Sequence, residues 1–310
     1  MMTNGTIEAS APGKLILFGE HVGRHGKPVL VYAINRRLHA YLTPNDGRGI
    51  FMTSDSLGVN MERYPSEKLD FATAAIKSFF ERTGENGSFN IEFKSELIGG
   101  FGSSGALITA TLGVLNKYFG SKLTNEDILD MGISIEREVS GVGSGIDIAA
   151  ALWGGMILYK KGADIKRVNY TDFPIVVGNT GLKVKSKVVV DDMTALELKY
   201  KERFDIIINE IGKISEEAAT AFEAGDYVRV GELMNINHGL LYSCSASSIE
   251  LERLVWAARN AGALGAKLSG AGRGDNMLAI APQKAEQVKD AIRAAGGTVS
   301  DVSIEKNGLV

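Results

Sequence analysis

The sequence predicts an α+β protein in two domains. Strand-like and helix-like segments intermix without the regular strand–helix–strand beat of a parallel sheet. At 310 residues the chain is long for a single hydrophobic core. The stretch Asp172-Phe173-Pro174 reads as a joint ahead of a new strand, which divides the chain into 1–172 and 173–310.

Taken in order, residues 7–22 read as extended, interrupted by Pro12-Gly13. Residues 29–42 are strand-like, and their tail alternates. Leu38, Ala40 and Leu42 fall on one face, His39 and Tyr41 on the other. Residues 68–82 carry a helical apolar stripe of Phe71, Ala74, Ala75, Phe79 and Phe80. A strand at 89–93 leads through a glycine run into a helix at 106–119. Leu123-Thr124-Asn125-Glu126-Asp127 reads as the capped start of the next helix, which ends near Val139. Short strands follow at 155–159 and 175–178. A long helix is expected over 193–224, with Phe204, Ile207, Ile208, Ile211 and Ile214 as its stripe. Helices at 226–241 and 248–260 come next. A strand at 266–269, a glycine loop, a strand at 277–281, a helix at 283–295 and a strand at 298–304 close the chain.

A net charge of −3 gives no electrostatic footprint for nucleic acid. The clusters Lys183, Lys185, Lys187 and Lys199, Lys201, Arg203 are short and acid-flanked, and read as solvated faces. No apolar run has membrane-spanning length, and residues 1–10 lack the apolar stretch of a signal peptide. One cysteine, Cys244, excludes an intramolecular disulfide and fits a reducing cytoplasm, with a small core filler as its expected role.

Four segments carry chemistry. Ala11-Pro12-Gly13-Lys14-Leu15-Ile16-Leu17-Phe18-Gly19-Glu20-His21 sets a lysine inside an apolar strand and a Glu-His pair at its end. A buried Lys14 needs an anionic partner, which a structural salt bridge also supplies, and taken alone His21 reads as a satisfied core histidine. Gly99-Gly100-Phe101-Gly102-Ser103-Ser104-Gly105-Ala106 lies between a strand and a helix. Glycines allow close approach of a ligand, and the helix offers orphan N–H groups and its positive dipole end, the general form of a phosphate cradle. The same run reads as a tight turn with Ser103 or Ser104 as N-cap. It also contains Gly100, Gly102 and Gly105 in the dinucleotide spacing. The second strand that a dinucleotide fold requires does not follow, and two hydroxyls suit a triphosphate and its metal better.

In the third segment, residues 136–147, a helix closes in a small-residue loop and Asp147 emerges beside an apolar run. Asp147 either caps the next helix or is paired for function. Glu136 could point at the same place or lie on a solvated face. The fourth segment, Lys267-Leu268-Ser269-Gly270-Ala271-Gly272-Arg273-Gly274-Asp275-Asn276, is a glycine loop after a strand, or an ordinary hairpin turn.

The motifs APGKLILFGEH, GGFGSSGA, GVGSGID and KLSGAG, in this order, resemble the galactokinase–homoserine kinase–mevalonate kinase–phosphomevalonate kinase (GHMP kinase) superfamily. The Gly-Glu-His ending, and GELMNINHGLL at 231–241, are similar to its mevalonate-kinase branch. The resemblance implies the GHMP kinase fold, with an N-terminal domain like the second domain of ribosomal protein S5 and a ferredoxin-like C-terminal domain. It implies ATP-dependent phosphorylation of mevalonate at the C5 hydroxyl, with magnesium. By resemblance the phosphate loop is 96–106, with Gly99, Gly100, Phe101, Gly102, Ser103, Ser104, Gly105 and Ala106 as ATP-binding residues. Asp147 matches the base and Lys14 its cationic neighbour. Ser104 and Glu136 match the metal ligands, and Glu20, His21 and Ser186 the substrate side.

The chain departs from the pattern at Glu96, where the family carries proline, at Phe101 and Gly105, and at Arg273 and Asp275 in the last loop. Arg273 could clamp a phosphate. Expected partners are ATP and mevalonate, with no nucleic acid, no membrane, and a homodimer as one open oligomeric state. The alternatives are a kinase of this fold acting on phosphomevalonate, homoserine or a sugar, and a non-catalytic ligand sensor.

Overall fold

The computed structural model of the chain describes residues 5–170 and 175–310. The described residues form two compact units. One is Met1–Lys14, Ala33–Gly155 and Glu305–Val310; the other is Leu15–Tyr32 and Met156–Ile304. The seam expected near residue 172 falls on 171–174, outside the described residues.

The elements of the first unit begin with β1 (Ile7–Phe18) and β2 (Val29–Pro44), both of which continue from one unit into the other. Then come β3 (Ile50–Ser54), β4 (Val59–Arg63), α1 (Asp70–Thr83), β5 (Phe89–Ser95), α2 (Ser103–Phe119), α3 (Asn125–Ser140) and α4 (Ile146–Trp153). The strand order is β4-β3-β5-β2, with β1 against β2. β5 runs antiparallel to β2 and parallel to β3. The alternation read from the sequence holds: Leu38, Ala40 and Leu42 are buried on β2, while His39 and Tyr41 are half-buried.

α2 is apolar nearly all round. Every residue from Gly105 to Leu115 is buried, so it fills the centre of the unit and α1, α3 and α4 pack around it. α3 opens as expected with Thr124, whose hydroxyl accepts the Asp127 amide while Asp127 returns a bond to the Thr124 amide. The hairpin of β3 and β4 was absent from the reading of the sequence. Its strands are five residues long, and β4 buries only Val59, so little alternation marks it.

The second unit continues with β6 (Met156–Tyr159), β7 (Lys166–Arg167), β8 (Ile175–Asn179), α5 (Ser186–Lys199), α6 (Lys201–Ala224), α7 (Tyr227–Ser243), α8 (Ile249–Asn260), β9 (Gly265–Ser269), β10 (Asn276–Ile280), α9 (Ala285–Ala294) and β11 (Thr298–Ser300). Its four-stranded antiparallel sheet has the order β11-β8-β10-β9, and α8 and α9 pack on it.

The long helix expected over 193–224 is two helices. Tyr200 leaves the helical region at φ −129°, ψ 45°. α5 buries only Val189 and Met193, whereas α6 buries Phe204, Ile208, Ile211 and Ile214. β11 stops at Ser300 rather than reaching residue 304, and the chain from Glu305 belongs to the first unit. There Val310 exchanges both backbone hydrogen bonds with Ser10.

Candidate active site

In the first unit the predicted residues converge. Lys14 is buried on β1, and its Nζ lies 3.1 Å from Oδ1 of Asp147. The partner that a buried lysine demands is therefore Asp147. Asp147 stands in the first turn of α4, whose N-cap is Gly145 at φ 79°. The choice left open for Asp147 resolves against capping.

The glycine loop joins the same cluster. The Lys14 amide donates to the Phe101 carbonyl at 2.9 Å, which ties the loop to β1. Gly102 is the N-cap of α2 at φ 73°, a conformation suited to glycine. Neither serine caps the helix, contrary to one expectation. The first intrahelical bond is donated by Ala106 to the Gly102 carbonyl. The amides of Ser103, Ser104 and Gly105 precede that bond, so they have no intrahelical acceptor.

A Cβ on Gly102 would lie 3.0 Å from Cε of Lys14 and 3.3 Å from Oδ2 of Asp147. The uncapped helix start therefore abuts the ion pair. On Gly105 a Cβ would lie 2.6 Å from Cβ of Asp147, so only glycine allows α2 and α4 to approach this closely. Gly99 and Gly100 are exposed; Phe101 and Ala106 are buried. Glu136 is buried in the last turn of α3, and its Oε2 accepts the Gly145 amide at 3.2 Å. It thus holds the loop from which Asp147 emerges. Among the described residues no group of three or more His, Cys, Asp or Glu could hold a metal ion. An apolar cavity of about 330 Å³ has Ser103 and Ser104 in its wall, with Leu57, Phe71, Phe93 and Leu107 among its lining residues.

The second unit gathers a different set. Gly19, at φ 95°, has no room for a Cβ, which would sit 2.8 Å from the Pro28 carbonyl oxygen. Glu20 is fully buried and paired with Lys267 of β9, itself fully buried. The Lys267 ammonium also donates to the Leu268 carbonyl at 2.7 Å. Burial pushes Lys267 down from the usual lysine range, while Glu20 pulls it back up.

Two residues on, the Ser269 hydroxyl donates to the Ile16 carbonyl at 2.8 Å. His21 adopts φ 66°, and its Nε2 lies 2.9 Å from the Ala271 carbonyl oxygen. A carbonyl only accepts, so Nε2 carries the hydrogen. Burial lowers His21 to about 4, with the Ala271 bond opposing, so the ring is neutral near pH 7. Ser186 is the exposed first residue of α5.

Arg24 and Arg273 of this unit have carboxylate partners. The Arg273 guanidinium lies 2.5 Å from the exposed Asp192 and donates to the Ser245 carbonyl at 2.8 Å. Arg24 donates to Glu197 at 3.0 Å and to Thr194 at 2.6 Å. The sequence reading missed the partnership of Lys267 with Glu20. Its signal was the one that exposed Lys14: a charge inside an apolar strand. It also missed His238, whose Nδ1 accepts the Leu268 amide at 3.2 Å while Nε2 donates to Glu252 at 2.9 Å. Burial lowers His238 to about 4, which fits that neutral tautomer.

The family models of the GHMP kinases N-terminal and C-terminal domains match residues 70–155 and 218–298. A mevalonate kinase of Thermococcus gammatolerans is 37% identical over 98% of this chain and 97% of its own length. One of Pyrococcus abyssi is 35% identical over the same shares. Among solved structures, L. major mevalonate kinase in complex with R-mevalonate superposes with a TM-score of 0.81 at 27% identity, covering 99% of this chain and 97% of that one. A protein from Listeria innocua superposes at 0.89 with 20% identity, which is a likeness of fold.

Proposed function

The chain belongs to the GHMP kinase family, and on that premise we propose that it is an ATP-dependent kinase that phosphorylates mevalonate at the C5 hydroxyl. The observation that carries the reading is the Lys14–Asp147 pair set against the uncapped start of α2. Orphan amides and a dipole end bind phosphate, and a carboxylate within reach accepts a proton. The C5 oxygen attacks the γ-phosphorus, the bond from that phosphorus to ADP breaks, and the hydroxyl proton passes to an Asp147 oxygen. The products are 5-phosphomevalonate and ADP. Phosphoryl transfer asks mainly for positioning and charge stabilisation, and Lys14 together with the amides of Ser103, Ser104 and Gly105 supply both.

Gly99, Gly100, Phe101, Gly102 and Ala106 complete the phosphate loop, and the apolar cavity beside Ser103 and Ser104 suits the adenine ring. The donors Ser104 and Glu136 are hard oxygens, the type magnesium takes, and phosphates and water would complete its shell. When bound, the ion would neutralise phosphate charge. On the substrate side we assign His21 and Ser186, with Glu20 shaping that side from within the fold. We read 1–172 and 173–310 as the two sequence domains, each containing one matched family segment. A cytoplasmic location accords with the single buried cysteine and with the absence, among the described residues, of any helix long and apolar enough to cross a membrane.

The pairing of Arg24 with Glu197 and of Lys267 with Glu20 disfavours phosphomevalonate, whose second anion calls for spare cations. A panel of mevalonate, 5-phosphomevalonate, homoserine and galactose, scored by ADP release, tests the reading. Mevalonate is expected to be turned over fastest, with phosphate on the C5 oxygen. Faster turnover of another member, or a product phosphorylated at the C3 hydroxyl, rejects the substrate while leaving the kinase.

A further inference from the structure

His21 has a positive φ, which a residue with a Cβ holds only where its surroundings impose it. Those surroundings come from one short segment. Alternate residues of β9 and the loop after it grip the end of β1 and the turn beyond it. Lys267 takes the Glu20 carboxylate, Ser269 takes the Ile16 carbonyl, and the Ala271 carbonyl takes Nε2 of His21. The Glu20-His21 dipeptide is therefore tied at both side chains to residues only four apart. Lys267 is itself held by its bond to the Leu268 carbonyl, and the Leu268 amide is held by His238.

A charge sealed this deeply gains no functional access to a ligand, and buried ion pairs contribute little net stability over apolar groups of the same volume. What such a pair can supply is geometry. We propose that Lys267 is a positioning residue for substrate recognition: through Glu20 it fixes His21 so that Nε2 stays bound to Ala271 and Nδ1 is presented as a hydrogen-bond acceptor. An acceptor nitrogen selects a hydroxyl, which can donate to it, over a carboxylate or phosphate oxygen, which cannot. The ligand class matched to His21 is thus an alcohol. The inference rests on the assignment of His21 to the mevalonate side.

The test compares the wild-type chain with the double variant Glu20→Gln/Lys267→Met, which removes both charges and nearly preserves volume. Thermal unfolding establishes that the variant is folded. The KM for mevalonate is expected to rise roughly 10–100-fold, the scale on which a small misplacement registers, while the KM for ATP stays unchanged. The nitrogen-15 spectrum of the histidine rings gives a second readout. His21, assigned with His21→Gln, is expected as the pure Nε2–H tautomer in the wild type and as a mixture of tautomers in the double variant. Should the double variant not fold, Glu20→Gln alone is used, since its amide oxygen still accepts from Lys267; the same changes are expected in smaller degree. A folded variant with unchanged mevalonate KM and an unchanged His21 tautomer overturns the proposal. If the wild type prefers another substrate, the assignment of mevalonate fails, and the tautomer spectrum still decides the role of Lys267.

Discussion

Among the described residues two lysine–carboxylate pairs have a buried lysine, and they differ in what can reach them. Lys14 and Asp147 have side chains 8% and 25% exposed, whereas Lys267 and Glu20 are at 0% each. Both lysines announce themselves in the same way, as a charge within an apolar strand. The reachable pair stands beside uncapped helix amides and can exchange a proton with a ligand. The sealed pair can exchange nothing, and its effect is to hold neighbouring backbone in place. On the roles proposed above, the same chemical groups act as reagents in one unit and as a brace in the other, and the two pairs differ in solvent access.

The comparison breaks most visibly at Asp147. Asp147→Asn retains an oxygen that can accept from Lys14, so the fold is expected to persist while kcat falls by roughly 10²–10⁴, the scale of a positioned base. Near-normal turnover by the folded variant would remove Asp147 from the chemistry. Crowding the same carboxylate is expected to cost less. In Gly105→Ala the new methyl meets Asp147 at 2.6 Å, so the carboxylate or α2 must move. A fall in kcat of roughly 10–100-fold is expected, with KM for mevalonate little changed. An unaltered kcat would mean that the contact between α2 and α4 relaxes without displacing Asp147.

A finer contrast lies within α3. Glu136 is buried and holds Gly145, while Glu138 is exposed and paired with Lys77. Glu136→Gln is expected to raise the magnesium concentration needed for half-maximal activity, and Glu138→Gln to leave it unchanged, because residues two apart on a helix face different ways. Sensitivity at Glu138 instead would reverse the assignment.

The smallest effect probes the sealed region through pH. His21 and His238 are both lowered to about 4 in the folded chain, against an ordinary value of 6.5. Between those values the unfolded chain binds protons that the folded chain refuses, so stability falls as pH drops through that window and is flat above it. Urea midpoints measured across the range check the sign. A midpoint that rises on acidification would mean that these rings are charged in the folded state.

Much of the architecture was legible because its signals are local. The capping box at Thr124, the alternation at Leu38, Ala40 and Leu42, and the glycine run before α2 each lie within a few residues. The hairpin of β3 and β4 was not legible, since its short strands hide few side chains. Nor was the break at Tyr200, where the backbone leaves the helical region with no glycine or proline nearby to mark it. In the site, Lys14 advertised its need for a carboxylate, but the identity of that carboxylate lies 133 residues away, at Asp147.

By itself the sequence determined which groups exist and what some of them demand: a buried lysine needs an anion, and a helix start after glycines leaves amides free. Tertiary structure decided how each demand is met. It gave Lys14 a partly accessible carboxylate and Lys267 a hidden one, paired Arg24 with Glu197 and Arg273 with Asp192, and set the His21 tautomer with the carbonyl of Ala271. The physical reason is that need for a partner is a property of one residue's hydration, whereas the partner and its exposure are properties of contacts made across long stretches of chain.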